Sequence, residues 1–190
     1  MKRYHEALTQ ELSATFRIFP LHERVSPHLT IKAPFETDEE GIQEVERVLR
    51  AVSHTESAVP LTFKGFGRFG FRTVYLNVHR SPDAVSLVRR SIRAVNENVP
   101  WISKAPLEGN KLHASIARFM DRTQSRRVLR HLKSHDPLFH TAIDNIAILK
   151  KEGVAWKVMT VIPLRALNED TGFLLPSRTS ASERKTALVS

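Results

Sequence analysis

The feature that most constrains this chain is an order of predicted elements that runs twice. Tyr4, Leu8 and Leu12 recur at helical spacing, which predicts an amphipathic helix over residues 4–13. Pro20 and Pro27 mark a turn region, and residues 28–35 alternate as a strand does. Asp38 is placed to cap a helix running to about residue 53, with Ile42, Val45, Val48, Leu49 and Val52 on its buried face. Residues 61–68 and 73–78 predict two strands joined by a turn at Gly70. The order then starts again. Ser81-Pro82 opens a helix with Val85, Val88, Ile92 and Val95 turned inward, the proline sitting in the tolerated first turn. Pro100 and Pro106 mark a loop, and residues 111–119 form another strand. Asp121 or Thr123 caps a helix to about residue 134 that carries Val128, Leu129 and Leu132. Strands near 141–150 and 155–164 follow, turning at Gly153. Each half therefore reads as helix, strand with histidine, helix, two strands. The period is too long for a solenoid. The prediction is one α+β, bilobal domain over residues 1–165, with halves of about 1–80 and 81–165. Antiparallel sheets related by a pseudo-twofold axis would flank a central cleft, with the lobes interleaved.

The two histidine strands carry the local signal. One reads Pro27-His28-Leu29-Thr30-Ile31-Lys32, the other Leu112-His113-Ala114-Ser115-Ile116-Ala117-Arg118. On a strand, residues i and i+2 share a face. His28 and Thr30 then project together, as do His113 and Ser115, while Leu29, Ile31, Ala114 and Ile116 turn into the core. Either motif alone fits a half-exposed strand with incidental polar residues. Two of them at equivalent places in a duplicated unit, 85 positions apart, point to a shared cleft.

That pairing resembles the two-histidine (2H) phosphoesterase superfamily, and within it the 2′-5′ RNA ligase and RNA 2′,3′-cyclic phosphodiesterase family. The likeness covers about residues 4–164. It implies a cyclic phosphodiesterase with no cofactor and no metal, acting on RNA or a small nucleotide that bears a cyclic phosphate, with 2′-5′ ligation as the reverse reaction. His28 and His113 would be the catalytic pair, His28 as acid and His113 as base, and Arg118 a phosphate ligand. The residue types suit that chemistry without the likeness. Histidine titrates near neutrality and can act as either acid or base. Thr30 and Ser115 can donate hydrogen bonds to phosphate oxygens, and Arg118 offers a planar cation for charge developing on phosphorus. Lys32 has two readings of equal weight, phosphate contact or solvated lysine. The chain departs from the family in two respects. Met1 falls at the first helix where the family has a preceding strand, so either the start lies upstream or an edge strand is lost. The second motif has Ser115 where threonine is commoner, and a serine hydroxyl can make the same contact.

Composition sets the remaining bounds. A net charge of +9 favours polyanionic partners. Beyond Ala166 bases and acids balance, so the excess belongs to the folded part, and residues 166–190 read as a flexible tail. The absence of cysteine excludes disulfides, thiolate zinc sites and a cysteine nucleophile. With no membrane-spanning apolar run and no secretory leader pattern, a cytoplasmic monomer is the expectation. His131 and His135, four apart with His140 beyond, could bind a divalent metal, but no His-Glu-x-x-His pattern accompanies them. Gly65, Gly67 and Gly70 lie between strands and suit turns better than a phosphate loop. Phe63, Phe66, Phe69 and Phe71 suit the core more than base stacking, for which Trp101 is the better candidate. Arg126, Arg127, Arg130 and Lys133 form a basic helix face that suits solvent more than RNA. The competing reading of the whole is a non-catalytic RNA- or nucleotide-binding protein of the same fold. A third keeps the enzyme but takes a small cyclic nucleotide or an ADP-ribose cyclic phosphate.

Overall fold

The structure, a computed structural model, describes residues 1–79, 81–107, 111–166 and 187–189. Four helices pack against two four-stranded sheets: α1 (Lys2–Phe16), α2 (Glu39–Thr55), α3 (Pro82–Asn98) and α4 (Arg122–His131). The strands are β1 (Thr30–Lys32), β2 (Val59–Phe69), β3 (Thr73–His79), β4 (His113–Ala117), β5 (Leu138–Ile143), β6 (Asn145–Glu152), β7 (Ala155–Pro163) and β8 (Ala187–Val189).

The helices begin where short-range chemistry allows. The Asp38 carboxylate accepts the Gly41 N–H at 2.9 Å, and Pro82 occupies the first turn of α3. Asp121, not Thr123, caps α4. Its carboxylate accepts the Gln124 N–H at 2.7 Å while the Gln124 side chain accepts the Asp121 N–H at 3.0 Å, a reciprocal cap of about 1 kcal/mol. Leu8 and Leu12 of α1, Val45 and Leu49 of α2, Val88, Ile92 and Val95 of α3, and Val128 of α4 supply one continuous core.

One sheet is antiparallel throughout, in the order β4-β3-β2-β5. The other runs β1-β8-β6-β7, with β6 and β7 antiparallel and β8 parallel to both β1 and β6. Each sheet therefore draws strands from both halves of the chain, and each histidine strand, β1 and β4, is an edge. The predicted strand over 141–150 is two strands in different sheets. β5 ends at Ile143, opposite Val59, and β6 begins at Asn145, opposite Pro163. The chain crosses between sheets at Asp144, whose carbonyl accepts the Leu164 N–H at 2.8 Å. The expected tail falls mostly outside the described residues, but Ala187–Val189 pair as β8.

Gly65 and Gly70 take positive φ of 65° and 54°, at a bulge in β2 and at the β2–β3 turn. Gly67 instead makes room: a Cβ there would meet the Tyr75 ring at 2.3 Å. These glycines shape a hairpin and precede no helix.

Candidate active site

Leu29, Ile31, Ala114 and Ile116 are buried, as the alternation predicts. The opposite face of each strand is left to His28 and Thr30, and to His113 and Ser115. His28 lies two residues before β1 and His113 opens β4. Both rings are held the same way. His28 Nδ1–H donates to the Ser26 carbonyl at 2.8 Å, and His113 Nδ1–H donates to the Lys111 carbonyl at 2.7 Å. A carbonyl can only accept, so Nδ1 carries the proton and the neutral ring keeps its lone pair on Nε2. Two matched i to i−2 hydrogen bonds thus fix two imidazoles with Nε2 available for proton transfer.

The site is electropositive. Burial pushes the His28 pKa down to about 4, aided by the Arg118 charge and by electrostatic coupling to His5 and His113, and opposed by the hydrogen bond to Ser26. His113 is lowered by burial and by Arg118 and Lys111, against its bond to the Lys111 carbonyl. Arg118 acts on both histidines. It is exposed just past β4, its guanidinium 4.9 Å from the Phe119 ring centroid. Phe119 takes φ 59°, a left-handed conformation costly for an aromatic residue, and its ring meets Phe19 edge-on at 5.1 Å.

Thr30 is exposed and Ser115 half-buried, so both hydroxyls have access to a ligand. Lys32 is not a solvated lysine. It is only 4% exposed, its Nζ lies 3.5 Å from Ser103 Oγ, and burial lowers its pKa. The cause is local: β1 loses regular register between Thr30 and Lys32, so Lys32 leaves the exposed face that Thr30 occupies.

The phenylalanines separate by environment. Phe63 is core, whereas Phe69 is 43% exposed and meets the His113 ring edge-on at 4.8 Å. Tyr75 backs both rings, 5.0 Å from His113 and 4.5 Å from Phe69. Phe69 thus stands exposed beside a site histidine. Trp101 packs against Phe35 and donates its indole N–H to Glu44 over the start of α2. Arg126, Arg127, Arg130 and Lys133 line the outer side of α4 and the turn after it, all four exposed.

One site residue has no local sequence signal. His5 on α1 is 2% exposed, and its Nε2–H donates to the Ser115 carbonyl at 2.7 Å. Ser115 lies on an edge strand, so this carbonyl needs a partner from outside the sheet. Only the position of His5 three residues before Leu8, on the buried face of α1, could have suggested it. Burial lowers its pKa and keeps it neutral, a donor at Nε2. His5→Ala is expected to strand that carbonyl and cost about 1–3 kcal/mol in denaturant unfolding. His5→Gln, which retains an N–H donor, should lose less, and equal losses would show that the hydrogen bond is immaterial.

The sequence profile of the 2′-5′ RNA ligase superfamily matches residues 3–155. The chain belongs to that superfamily. Its 2H fold is shared with a crystal structure of a protein from Thermus thermophilus, at a TM-score of 0.52 and 16% identity over 88% of this chain and 95% of that one. A candidate phosphoesterase of Bacillus licheniformis is 26% identical over 153 residues, 79% of this chain and 87% of its own. Another, from Bacillus cytotoxicus, is 24% identical over 75% of this chain and 81% of its own. The superfamily match runs through both histidine motifs, from α1 to the start of β7. Among the described residues, the cluster able to ligate a metal is elsewhere, at Glu11, His131 and His135. His140 stands apart from it, paired through Nδ1 with Thr62 Oγ1 at 3.1 Å. No helix among the described residues is long and apolar enough to cross a membrane.

Proposed function

We propose that this chain is a metal-independent phosphoesterase that opens 2′,3′-cyclic phosphates, or cleaves 2′-5′ linkages, in RNA or nucleotides. Superfamily membership and the phosphoesterase relatives support the class of reaction. The observation that carries the mechanism is the matched pair of imidazoles, each locked through Nδ1 and each under the charge of Arg118. In hydrolysis one Nε2 takes a proton from water as its oxygen bonds to phosphorus. The bond from phosphorus to a ribose oxygen breaks, and the other Nε2–H protonates that oxygen. Run backwards, with a hydroxyl in place of water, the same pair would ligate. Arg118, Thr30 and Ser115 would hold the non-bridging oxygens, and Lys32, buried at the end of β1, would add positive potential. A phosphodiester anion entering this field offsets the positive charges that add to burial in depressing both histidines, so that the acid can take up a proton from solvent.

The test is product analysis with 2′,3′-cyclic nucleotides, an ADP-ribose cyclic phosphate and 2′-5′-linked oligoribonucleotides, all in EDTA. Turnover should persist in the chelator. Turnover lost in EDTA and restored by zinc or manganese would overturn the proposal, and affinity without any turnover would identify a binding module. The pH profile is a further expectation. The working state has one neutral and one protonated histidine, so both profiles should be bell-shaped. Both pKa values are lowered in the free protein, which places the apex of kcat/KM below about 6.5. Bound phosphate raises them, so the kcat apex should lie higher. A kcat/KM still rising between pH 6 and 8 would contradict the pairing. Stability needs monitoring over the same range. Histidines depressed on folding bind protons more readily when unfolded, so stability falls as pH drops below about 6.5 and on towards the His28 value.

A further inference from the structure

A second cluster of chemically competent side chains lies outside the histidine strands. Glu11 on α1, His131 at the end of α4 and His135 just beyond it each offer a ligand atom within 4.8 Å of the other two. His131 Nε2 is 2.6 Å from Glu11 Oε1, across 120 positions of sequence. The short 3-10 turn Leu132–Ser134 continues α4 and brings the His135 ring to 5.3 Å from that of His131.

An ion pair explains part of this arrangement. Glu11 with a protonated His131 would suffice for the short contact, but it gives no reason for a second imidazole alongside. Two imidazoles and a carboxylate whose ligand atoms all lie within 4.8 Å can share one cation, and two nitrogens with one oxygen form a donor set suited to zinc, with positions left for water. The rings are also supported from behind. Phe16 meets His131 edge-on at 5.4 Å, and the Tyr4 hydroxyl lies 3.3 Å from His135 Nδ1, which leaves Nε2 for a ligand. Tyr4 and Glu11 are seven residues apart on α1, hence on one face, and the Tyr4 pKa is raised by burial and by Glu11. Glu11 is exposed and both histidines are half-buried, so an ion can enter.

We propose that Glu11, His131 and His135 form a zinc-class divalent metal site that clamps α1 to the end of α4. It plays no part in the proton transfers at His28 and His113.

The experiment uses the full chain, stripped with EDTA and titrated with Zn²⁺ by calorimetry and by thermal unfolding. One ion per chain is expected, with a Kd on the order of micromolar and a Tm raised by several degrees at saturation. His131→Ala, His135→Gln and Glu11→Gln should each weaken binding by at least about 10-fold and remove the Tm shift. Circular dichroism would check that each variant is folded. If His131→Ala is not, the two glutamine variants decide. The His28→Ala/His113→Ala double variant should keep the zinc site. No stoichiometric binding below about 100 μM, binding unchanged in the glutamine variants, or binding lost with His28 and His113 would each overturn the proposal.

Discussion

His28→Ala and His113→Ala are each expected to lower turnover of a 2′,3′-cyclic phosphate by about 10²–10⁴-fold. On the proposed mechanism each ring would supply one proton transfer, and each is held by a hydrogen bond to the carbonyl two residues before it. Substrate affinity should change little, because Arg118 and the two hydroxyls would still hold the phosphate. The double variant should lose far less than the product of the single losses. Once one proton transfer is gone, the remaining histidine has no concerted partner to assist. Leaving-group chemistry separates the roles. An aryl phosphodiester expels a stable phenolate and needs no acid, so it should rescue the variant lacking the acid. By the family resemblance that variant is His28→Ala, and rescue of His113→Ala alone would exchange the two assignments. The apparent pKa values in either profile belong to the pair, since His28 senses the charge on His113. Two single variants that both remain fully active would remove these histidines from the mechanism.

The sequence made part of this site legible because burial on one face imposes a period. Leu29, Ile31, Ala114 and Ile116 could be assigned to the core from alternation, which left His28, Thr30, His113 and Ser115 for the other face. Helix starts were legible because Asp38 and Pro82 act on their own first turns. What could not be read was non-local. Ile143 and the apolar run over residues 146–149 are separated only by Asp144 and Asn145, too short a break to show that the backbone moves to another sheet there, since hydrophobicity does not record which strand is the neighbour. Lys32 shares parity with Thr30, but the register irregularity between them buries it. His5 is, with Thr9, a polar residue on the buried face of α1, and its purpose emerges only when β4 is known to be an edge. Glu11 likewise joins His131 and His135 only through the packing of α1 on α4.

Arg118→Ala is expected to lower kcat/KM by about 10²–10³-fold, the loss typical of removing a donor aimed at developing negative charge. Attack on phosphorus builds negative charge on the non-bridging oxygens, and Arg118 is the cation whose field reaches both histidines. Arg118→Lys keeps the charge but not the planar two-point fork or the stacking on Phe119, and should retain partial activity. The pH profile supplies a readout that loss of packing alone would not move. Arg118 lowers the pKa of His28 and of His113, so its removal must raise both. The kcat/KM bell of Arg118→Ala should therefore move to higher pH while that of Arg118→Lys stays near the parent. A smaller rate with an unmoved profile would mean that Arg118 acts on phosphate without setting the histidines. An Arg118→Ala variant as active as the parent would place the phosphate elsewhere than beside β4.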